Sequence, residues 1–230
     1  MYSRTAPATE EPLGFILLVV MFGIMLVLYS RKSRKIPLTG HDVALKLGLK
    51  FRPESTQKIQ PKLAFINRLQ YGRRHHALNV FTGQRLKQPV VIFDFRYEVE
   101  TITGKGGMIV EDPYSFYTIE LPRSFPEVTI YKEGLISKIY QATGHGDLDF
   151  ESYEFSRKFR VRGADAKFAY DFCNARMIEY LIENTDLSIE IDRNILCISF
   201  DKPLIFETVE YNFGRLLKIR SLMPDYLFER

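Results

Sequence analysis

The sequence predicts an α+β fold: a largely antiparallel sheet with two or three packed helices, preceded by one transmembrane helix. Three observations predict this class. An uncharged apolar run occupies residues 13–30, segments that alternate apolar and polar residues fill the middle of the chain, and amphipathic helical segments lie towards its end. The strand-like and helical segments do not alternate regularly, so an antiparallel sheet is favoured over a doubly wound parallel one.

The apolar run is the strongest single feature. No charged residue lies between Pro12 and Ser30, and as a helix residues 13–30 would extend about 27 Å, close to the thickness of a hydrocarbon core. A cleaved signal peptide would have basic residues before the run and a cleavage site of small residues after it. Here the basic residues follow the run, so the sequence predicts a membrane anchor rather than a signal peptide or a buried helix.

The residues that flank the run predict its orientation. The tail 1–12 has a single basic residue, Arg4, whereas the linker 31–38 has Arg31, Lys32, Arg34 and Lys35. The positive-inside rule therefore places the tail outside and the domain 39–230 in the cytosol. We expect the four linker cations to contact the headgroups of the lipid bilayer.

The net charge of +4 is concentrated in this linker. The domain that follows is nearly neutral, which argues against a nucleic-acid partner because a nucleic-acid-binding domain presents a basic face. The two cysteines, Cys173 and Cys197, form no CxxC pair, in keeping with a reducing compartment.

The first part of the domain predicts one helix followed by strands. Residues 39–48 fit a short helix that ends at Gly48, and an extended segment begins at Leu49. Residues 76–82 and 90–99 alternate as strands, with a hairpin loop over 83–88 between them. The second strand has an apolar and a polar face, which predicts a half-buried strand; the faces are Val91, Phe93, Phe95, Tyr97 and Val99 against Asp94, Arg96 and Glu98.

The second part predicts further strands and two helices. Strands are expected at 114–121, 127–131 and 155–162, with prolines between the first two. Asp165 is placed to cap a helix that runs to about Glu183. Residues 187–200 predict a hairpin with its turn at 192–194, and a last helix over 206–222 ends before Pro224.

Two motifs suggest binding chemistry by composition only. Gly104-Lys105-Gly106-Gly107 lies between two strands, whereas a phosphate-binding loop needs GxxxxGK[ST] between a strand and a helix, so a hairpin turn is favoured. His75 and His76 would point to opposite faces of a strand and cannot easily share a metal ion. The sequence therefore predicts no metal site and no cofactor.

Two polar clusters suggest enzymatic groups. His145 and Asp147 lie in a Gly-rich segment without a nucleophile motif such as GxSxG, so a turn is favoured. Glu151 and Glu154, with Arg157, could act in acid–base chemistry if burial raised one pKa, but a surface ion-pair set is favoured. The sequence thus predicts no catalytic residue and leans against an enzyme.

A basic strip is predicted on one face of the strand 155–162, made of Lys158, Arg160 and Arg162. Charges of this kind protect an edge strand against aggregation. Alternatively, the strip contacts anionic lipid headgroups or a partner. The sequence leaves both interpretations open.

The stretch that begins at Asp149 has an acidic-x-x-Phe and Phe-x-Val strand that leads into an Asp and a helix with Met and Glu, followed by ILCISF. The residues are Glu151, Phe155, Phe159, Val161, Asp165, Ala169, Met177 and Glu179. This pattern resembles a family of uncharacterised bacterial membrane proteins, a domain of unknown function with an N-terminal transmembrane segment. The family usually has Pro before the Met-bearing turn, where this chain has Asn174-Ala175-Arg176. The resemblance implies an anchored bacterial α+β domain and supplies no catalytic residue.

These features favour a non-enzymatic interaction or scaffold module at the cytoplasmic membrane face, with a membrane or membrane-proximal protein as its partner. One alternative is a domain that binds anionic lipid headgroups. The second alternative is a hydrolase-type enzyme that acts on a small polar substrate, with His145 or Glu151 in a polar pocket.

Overall fold

The structure is a computed structural model that describes residues 21–22, 38–53, 63–70, 73–103, 106–132 and 146–229. The chain divides into two units, Met1–Pro37 and Leu38–Arg230. In the first unit, Met21 and Phe22 are helical. The rest of the predicted anchor 13–30, the tail 1–12 and the cations Arg31, Lys32, Arg34 and Lys35 lie outside the described residues. None of the helices in the described ranges is both long and apolar enough to cross a membrane.

The second unit is an α+β domain with a six-stranded sheet, and its strand pairs within the described residues are antiparallel, as the sequence predicted. The strand order is β1-β2-β3-β4-β5, and β6 also pairs with β4. The strands are β1 Lys50–Arg52, β2 Arg73–Arg85, β3 Gln88–Thr103, β4 Gly106–Lys132, β5 Phe159–Gly163 and β6 Ser188–Phe200. The helices are α1 Gly40–Leu47, α2 Tyr153–Lys158, α3 Ala166–Phe172, α4 Ala175–Glu183 and α5 Phe206–Leu222, with short 3₁₀ turns at Asn67–Gln70 and Asp225–Leu227.

Local signals set the bounds of the first and last helices. Thr39 and Asp42 form a reciprocal capping box at the start of α1, and Gly48 ends the helix at φ 68°, a left-handed conformation that favours glycine. Helix α5 spans the predicted residues and ends before Pro224. Both predictions are confirmed because capping and proline act within a few residues of the helix end.

The predicted hairpin between β2 and β3 is also confirmed. Its turn consists of Leu86 and Lys87, at φ 52° and 61°, which is the backbone twist that two-residue hairpins require. The prediction that β3 is half-buried was wrong in part: Arg96 is exposed as expected, but the first half of the strand is buried on both faces. Val90, Ile92 and Asp94, on the face expected to be polar, are buried as well, because helices cover that face of the sheet.

Strand β4 is a single long strand where two strands were predicted, at 114–121 and 127–131. Its pairing with β6 has register shifts between Glu120 and Phe125 and between Phe125 and Val128. Pro122 and Pro126 lie in this irregular stretch, since proline cannot donate to the ladder and is tolerated at bulges. The prolines bend the strand rather than end it.

Strand β6 corrects the predicted hairpin at 187–200, because both of its arms pair with β4 and not with each other. Arg193, at φ 52°, marks the bend. A straight strand of this length would separate its ends by about 40 Å, yet the Lys202 Nζ and an Asp186 carboxylate oxygen are 3.6 Å apart. The sheet therefore curls, with α5 against its inner face.

Two further predictions near the end of the sheet were wrong in part. The predicted strand 155–162 is helical as far as Lys158, because Ser152 caps α2, and only Phe159–Gly163 forms β5. The predicted helix from Asp165 to Glu183 is two helices: Asp165 caps α3 as expected, and Asn174 caps a new helix, α4.

Hydrophobic cores lie on both faces of the sheet. The larger core joins the inner face to the helices and includes Phe81, Tyr117, Ile198 and Leu216. The smaller core covers the outer face, where residues 63–70 pack on side chains of β2, β3, β4 and β6 that include Phe93, Phe95, Phe116 and Cys197.

Candidate functional site

The three cations of the predicted basic strip lie on two elements. Lys158 is the last residue of α2, and Arg160 and Arg162 alternate along β5. On β4, Tyr131 pairs with Arg160 and Thr129 pairs with Arg162. The Arg162 guanidinium lies over the Tyr131 ring, 5.7 Å from its centroid. The cations therefore belong to one edge of the sheet but do not form a single strand face.

Each of these cations bonds to oxygen atoms of the same chain. Arg162 Nε donates to Asp147 Oδ1 at 2.6 Å, and Asp147 Oδ2 lies 3.8 Å from Arg160 Nε. Arg160 Nη1 donates to the Ser156 carbonyl at 2.6 Å. Lys158 Nζ donates to Glu154 Oε1 at 2.7 Å and to the Ile182 carbonyl at 3.1 Å. The strip is thus part of an ion-pair set, the kind of structure that the sequence favoured for Glu154.

The carboxylates of this set lie farther out than the cations. The side chains of Asp147 and Glu154 are 41% and 54% exposed, against 28%, 33% and 18% for Lys158, Arg160 and Arg162. Hydrogen bonding and charge from Lys158 lower the pKa of Glu154, so its carboxylate is held ionised. The surface at this edge therefore presents negative groups to the solvent.

A cleft of about 220 Å³ opens beside these carboxylates, and we call it the β5 cleft. Its polar and apolar lining alternates, since Leu148, Phe150 and Phe159 lie between Asp147, Asp149, Ser156 and Arg160. Ser156 Oγ donates to the Phe150 carbonyl at 3.1 Å, which holds the loop against α2. Glu151, the acid–base candidate, is exposed and does not line the cleft.

A buried polar group that the sequence analysis missed lies between the sheet and α5. Asp94 is 2% exposed and accepts a hydrogen bond from the Leu204 N–H at 3.3 Å. Burial raises the pKa of Asp94, although the Leu204 N–H and Arg96 oppose the shift. Nearby, Asn212 Nδ2 donates to Tyr117 Oη at 3.5 Å, and burial raises the pKa of Tyr117 to about 12.

A second missed group joins α5 to the start of β6. The Arg215 side chain is 5% exposed, bonds to an Asp186 oxygen and lies 5.0 Å from the Phe200 ring centroid. Burial opposes ionisation of Asp186, but the hydrogen bond and charge of Arg215 outweigh it and lower the Asp186 pKa. Arg215 and Asn212 fall among the apolar positions of α5, and a polar residue in an apolar stripe is a signal that could have identified them.

The other predicted groups are dispersed. His75 contacts the Phe95 ring at 5.5 Å between centroids, and His145 lies outside the described residues. Strands β3 and β4 pair up to Thr103 and Gly106, next to the glycine motif, of which Gly104 and Lys105 lie outside the described residues. Cys173 and Cys197 are buried and are not joined in a disulfide. Within the described ranges, no three His, Cys, Asp or Glu residues are grouped so as to hold a metal ion.

Comparisons with known proteins give one informative match. No protein-family model matches the sequence, and no curated protein matches it. The crystal structure of the mycobacterial trehalose monomycolate transport factor A, TtfA, is similar, with a TM-score of 0.54 and 13% sequence identity. The match covers 80% of this chain and 94% of that chain. At this identity, the match indicates a shared fold.

Proposed function

We propose that this chain is a membrane-anchored, non-enzymatic interaction module that binds a membrane or membrane-proximal protein at the cytoplasmic face. The observation that carries the proposal is the fold shared with a protein named as a transport factor, over 94% of the chain in its crystal structure. The uncharged run 13–30 and the cations that follow it supply the membrane attachment.

The positions of the charged groups also favour an interaction module over an enzyme. An acid–base pair needs groups of perturbed pKa at one cleft. Glu151 is exposed, and the Glu154 carboxylate bonds to Lys158 at the surface. Asp94 and Arg215 are buried between α5 and the sheet, where they bond to the chain itself. These contacts favour structural roles for the polar residues.

The lipid alternative is less well supported by the geometry. For Lys158, Arg160 and Arg162 to contact anionic headgroups, the more exposed carboxylates of Asp147 and Glu154 would face the same headgroups. The carboxylates and the anionic headgroups carry charges of the same sign and repel each other. The β5 edge is therefore an unfavourable contact surface for anionic lipid. The cations of the linker, Arg31 to Lys35, are better candidates for headgroup contact.

The proposal is tested by site-specific photo-crosslinking of the full chain in its own membranes. A photoreactive residue replaces Leu45 on α1 in one variant and Tyr153 on α2 in another, because these side chains are 85% and 81% exposed. We expect one defined membrane-protein product that depends on light and comes from one position more than the other. Absence of any defined product from either position, or equal labelling of abundant soluble proteins, would overturn the proposal.

A further inference from the structure

We propose that the β5 cleft, with Tyr170 on its rim and Tyr153 at the start of α2, docks a Lys/Arg-rich segment of a membrane protein. This inference rests on the proposed function and names the chemistry of the partner. It is carried by exposed aromatic side chains, by the cleft beside them and by the arrangement of charge around both.

Both tyrosines are exposed, and Tyr170 is held in place. Tyr153 and Tyr170 are 81% and 46% exposed. The Tyr170 ring lies 5.0 Å from that of Phe150, and its hydroxyl donates to the Asp149 carbonyl at 3.1 Å. Phe150 in turn packs against the buried Phe155, with 5.3 Å between centroids. Tyrosines fixed at a surface in this way are typical anchor points of protein interfaces.

The charge around the rim selects a cationic occupant. Asp149 and Glu151 are exposed, and no ion pair joins either one to another residue of the described ranges. Asp147 and Glu154 add partly exposed carboxylates, whereas Lys158, Arg160 and Arg162 lie deeper. Arg157, near the end of α2, is an exposed cation, and so is Lys167 on the helix of Tyr170, which bonds to Asp171. The outer layer is therefore mainly negative, and complementary charge sets partner choice.

The lining of the cleft suits the chemistry of a lysine or arginine side chain. Its apolar lining of Leu148, Phe150 and Phe159 can contact the aliphatic stem, and its carboxylates, Asp147 and Asp149, can receive the charged head. The two tyrosine rings offer cation–π contacts to neighbouring cations of the same segment.

The proposed location at the cytoplasmic face of the membrane brings the domain close to such a partner. Cytoplasmic loops of membrane proteins have an excess of Lys and Arg close to the bilayer. A domain anchored at the cytoplasmic face would meet these segments at high local concentration. A cytoplasmic loop or tail of a membrane protein is therefore the occupant to which the charge and the location both point.

The test uses the full chain in nanodiscs of zwitterionic phosphatidylcholine, to which cationic peptides bind weakly. The probe is a short fluorescein-labelled peptide of alternating Arg and Ala, with a matched Glu-Ala peptide as a control for charge sign. We expect saturable binding of the Arg peptide by fluorescence anisotropy, and binding about fivefold weaker in the Asp149→Asn/Glu151→Gln variant, the sum of two exposed charge pairs. The Tyr153→Ala variant should weaken binding as well.

A matched variant, Glu207→Gln/Glu229→Gln, removes the same charge from exposed positions elsewhere and should bind as the wild type does. Equal losses in both charge variants, equal binding of the Glu-Ala peptide, or no binding would overturn the proposal. A dimer in the nanodiscs that dissociates on Asp149→Asn/Glu151→Gln would assign the surface to a second copy and overturn it too. If any of these outcomes overturned the proposal for the cleft, a defined photo-crosslink from Leu45 would still support the proposed interaction function.

Discussion

At the scale of the residue, Asp94 is the most informative side chain of the inner core. It was expected on the solvent face of its strand because Arg96 and Glu98 share its alternation. The structure buries it under the segment that leads into α5, where Leu204 N–H donates to it. A single strand pattern cannot reveal this, since the covering segment comes from more than a hundred residues later in the chain.

Asp94 also predicts a pH dependence of stability. Because its pKa is raised in the folded state, the contribution of its protonated form is present in full below the ordinary value of 3.8 and is lost as pH rises through the folded pKa. Asn keeps the acceptor oxygen and does not ionise. We therefore expect the Asp94→Asn variant to gain stability relative to the wild type as pH rises above 3.8.

The measurement is the free energy of unfolding of both proteins by urea titration between acid and neutral pH. All other carboxylates are the same in the two proteins. The difference between their free energies of unfolding, followed against pH, therefore reports on Asp94. A difference that stays constant across this range would show that the burial of Asp94 does not perturb its ionisation.

At the scale of the element, Asn174 accounts for the break in the predicted helix 165–183. Its side-chain oxygen accepts from Met177 N–H at 3.2 Å and starts α4, and its amide donates to the Leu222 carbonyl at 3.0 Å, at the end of α5. The apolar spacing continues across the break, which is why periodicity alone predicted one helix. An Asn cap in the middle of a periodic segment is the signal that was available.

Because Asn174 both caps α4 and bonds to the end of α5, substitutions that remove one or both contacts should differ in their loss of stability. The Asn174→Ala variant loses the cap, worth about 1 kcal/mol, together with the bond to α5. Asn174→Asp keeps the acceptor that caps α4 but loses the donor, so its loss should be smaller. Asn184→Ala is the control, because the Asn184 amide donates to Tyr180, within the same helix.

Urea titrations of the three variants check this order. We expect Asn174→Ala to be the least stable. If Asn174→Asp were as destabilised as Asn174→Ala, the bridge to α5 and not the cap would be the main contribution, and the account of the helix break would be wrong.

The strands divide in the same way between local and distant causes. The strand-like alternation at 76–82 and 90–99, with a loop expected over 83–88, identified the β2–β3 hairpin without knowledge of the rest of the sheet, although its turn is only Leu86 and Lys87. The hairpin predicted at 187–200 failed because its two arms alternate equally well against β4, which lies far away in sequence. Local pattern defines a strand, and the partner strand is chosen by the whole sheet.

At the scale of the whole molecule, the curl of the sheet could not be predicted. It depends on bends in β4 and β6 that coincide in space, near Phe125 and Arg193. The ion pairs at the β5 edge could not be predicted either, because Asp147 and Arg162 are brought together only by tertiary structure. The predicted basic strip is therefore divided between α2 and β5, and its neutralisation by outer carboxylates was not foreseen.

The central claim is that residues 13–30 anchor the chain with its domain on the cytosolic side. Cysteine labelling tests it directly, because the native Cys173 and Cys197 are buried, and burial raises the pKa of the Cys173 thiol, which keeps it unreactive. The variants are Ser3→Cys in the tail and Ser33→Cys in the linker.

Both variants are treated with a membrane-impermeant maleimide in sealed right-side-out vesicles, before and after permeabilisation. The account predicts that Ser3→Cys is labelled in sealed vesicles and that Ser33→Cys is labelled only after permeabilisation. The reverse pattern, or release of the full chain from the membrane by alkaline carbonate, would contradict it.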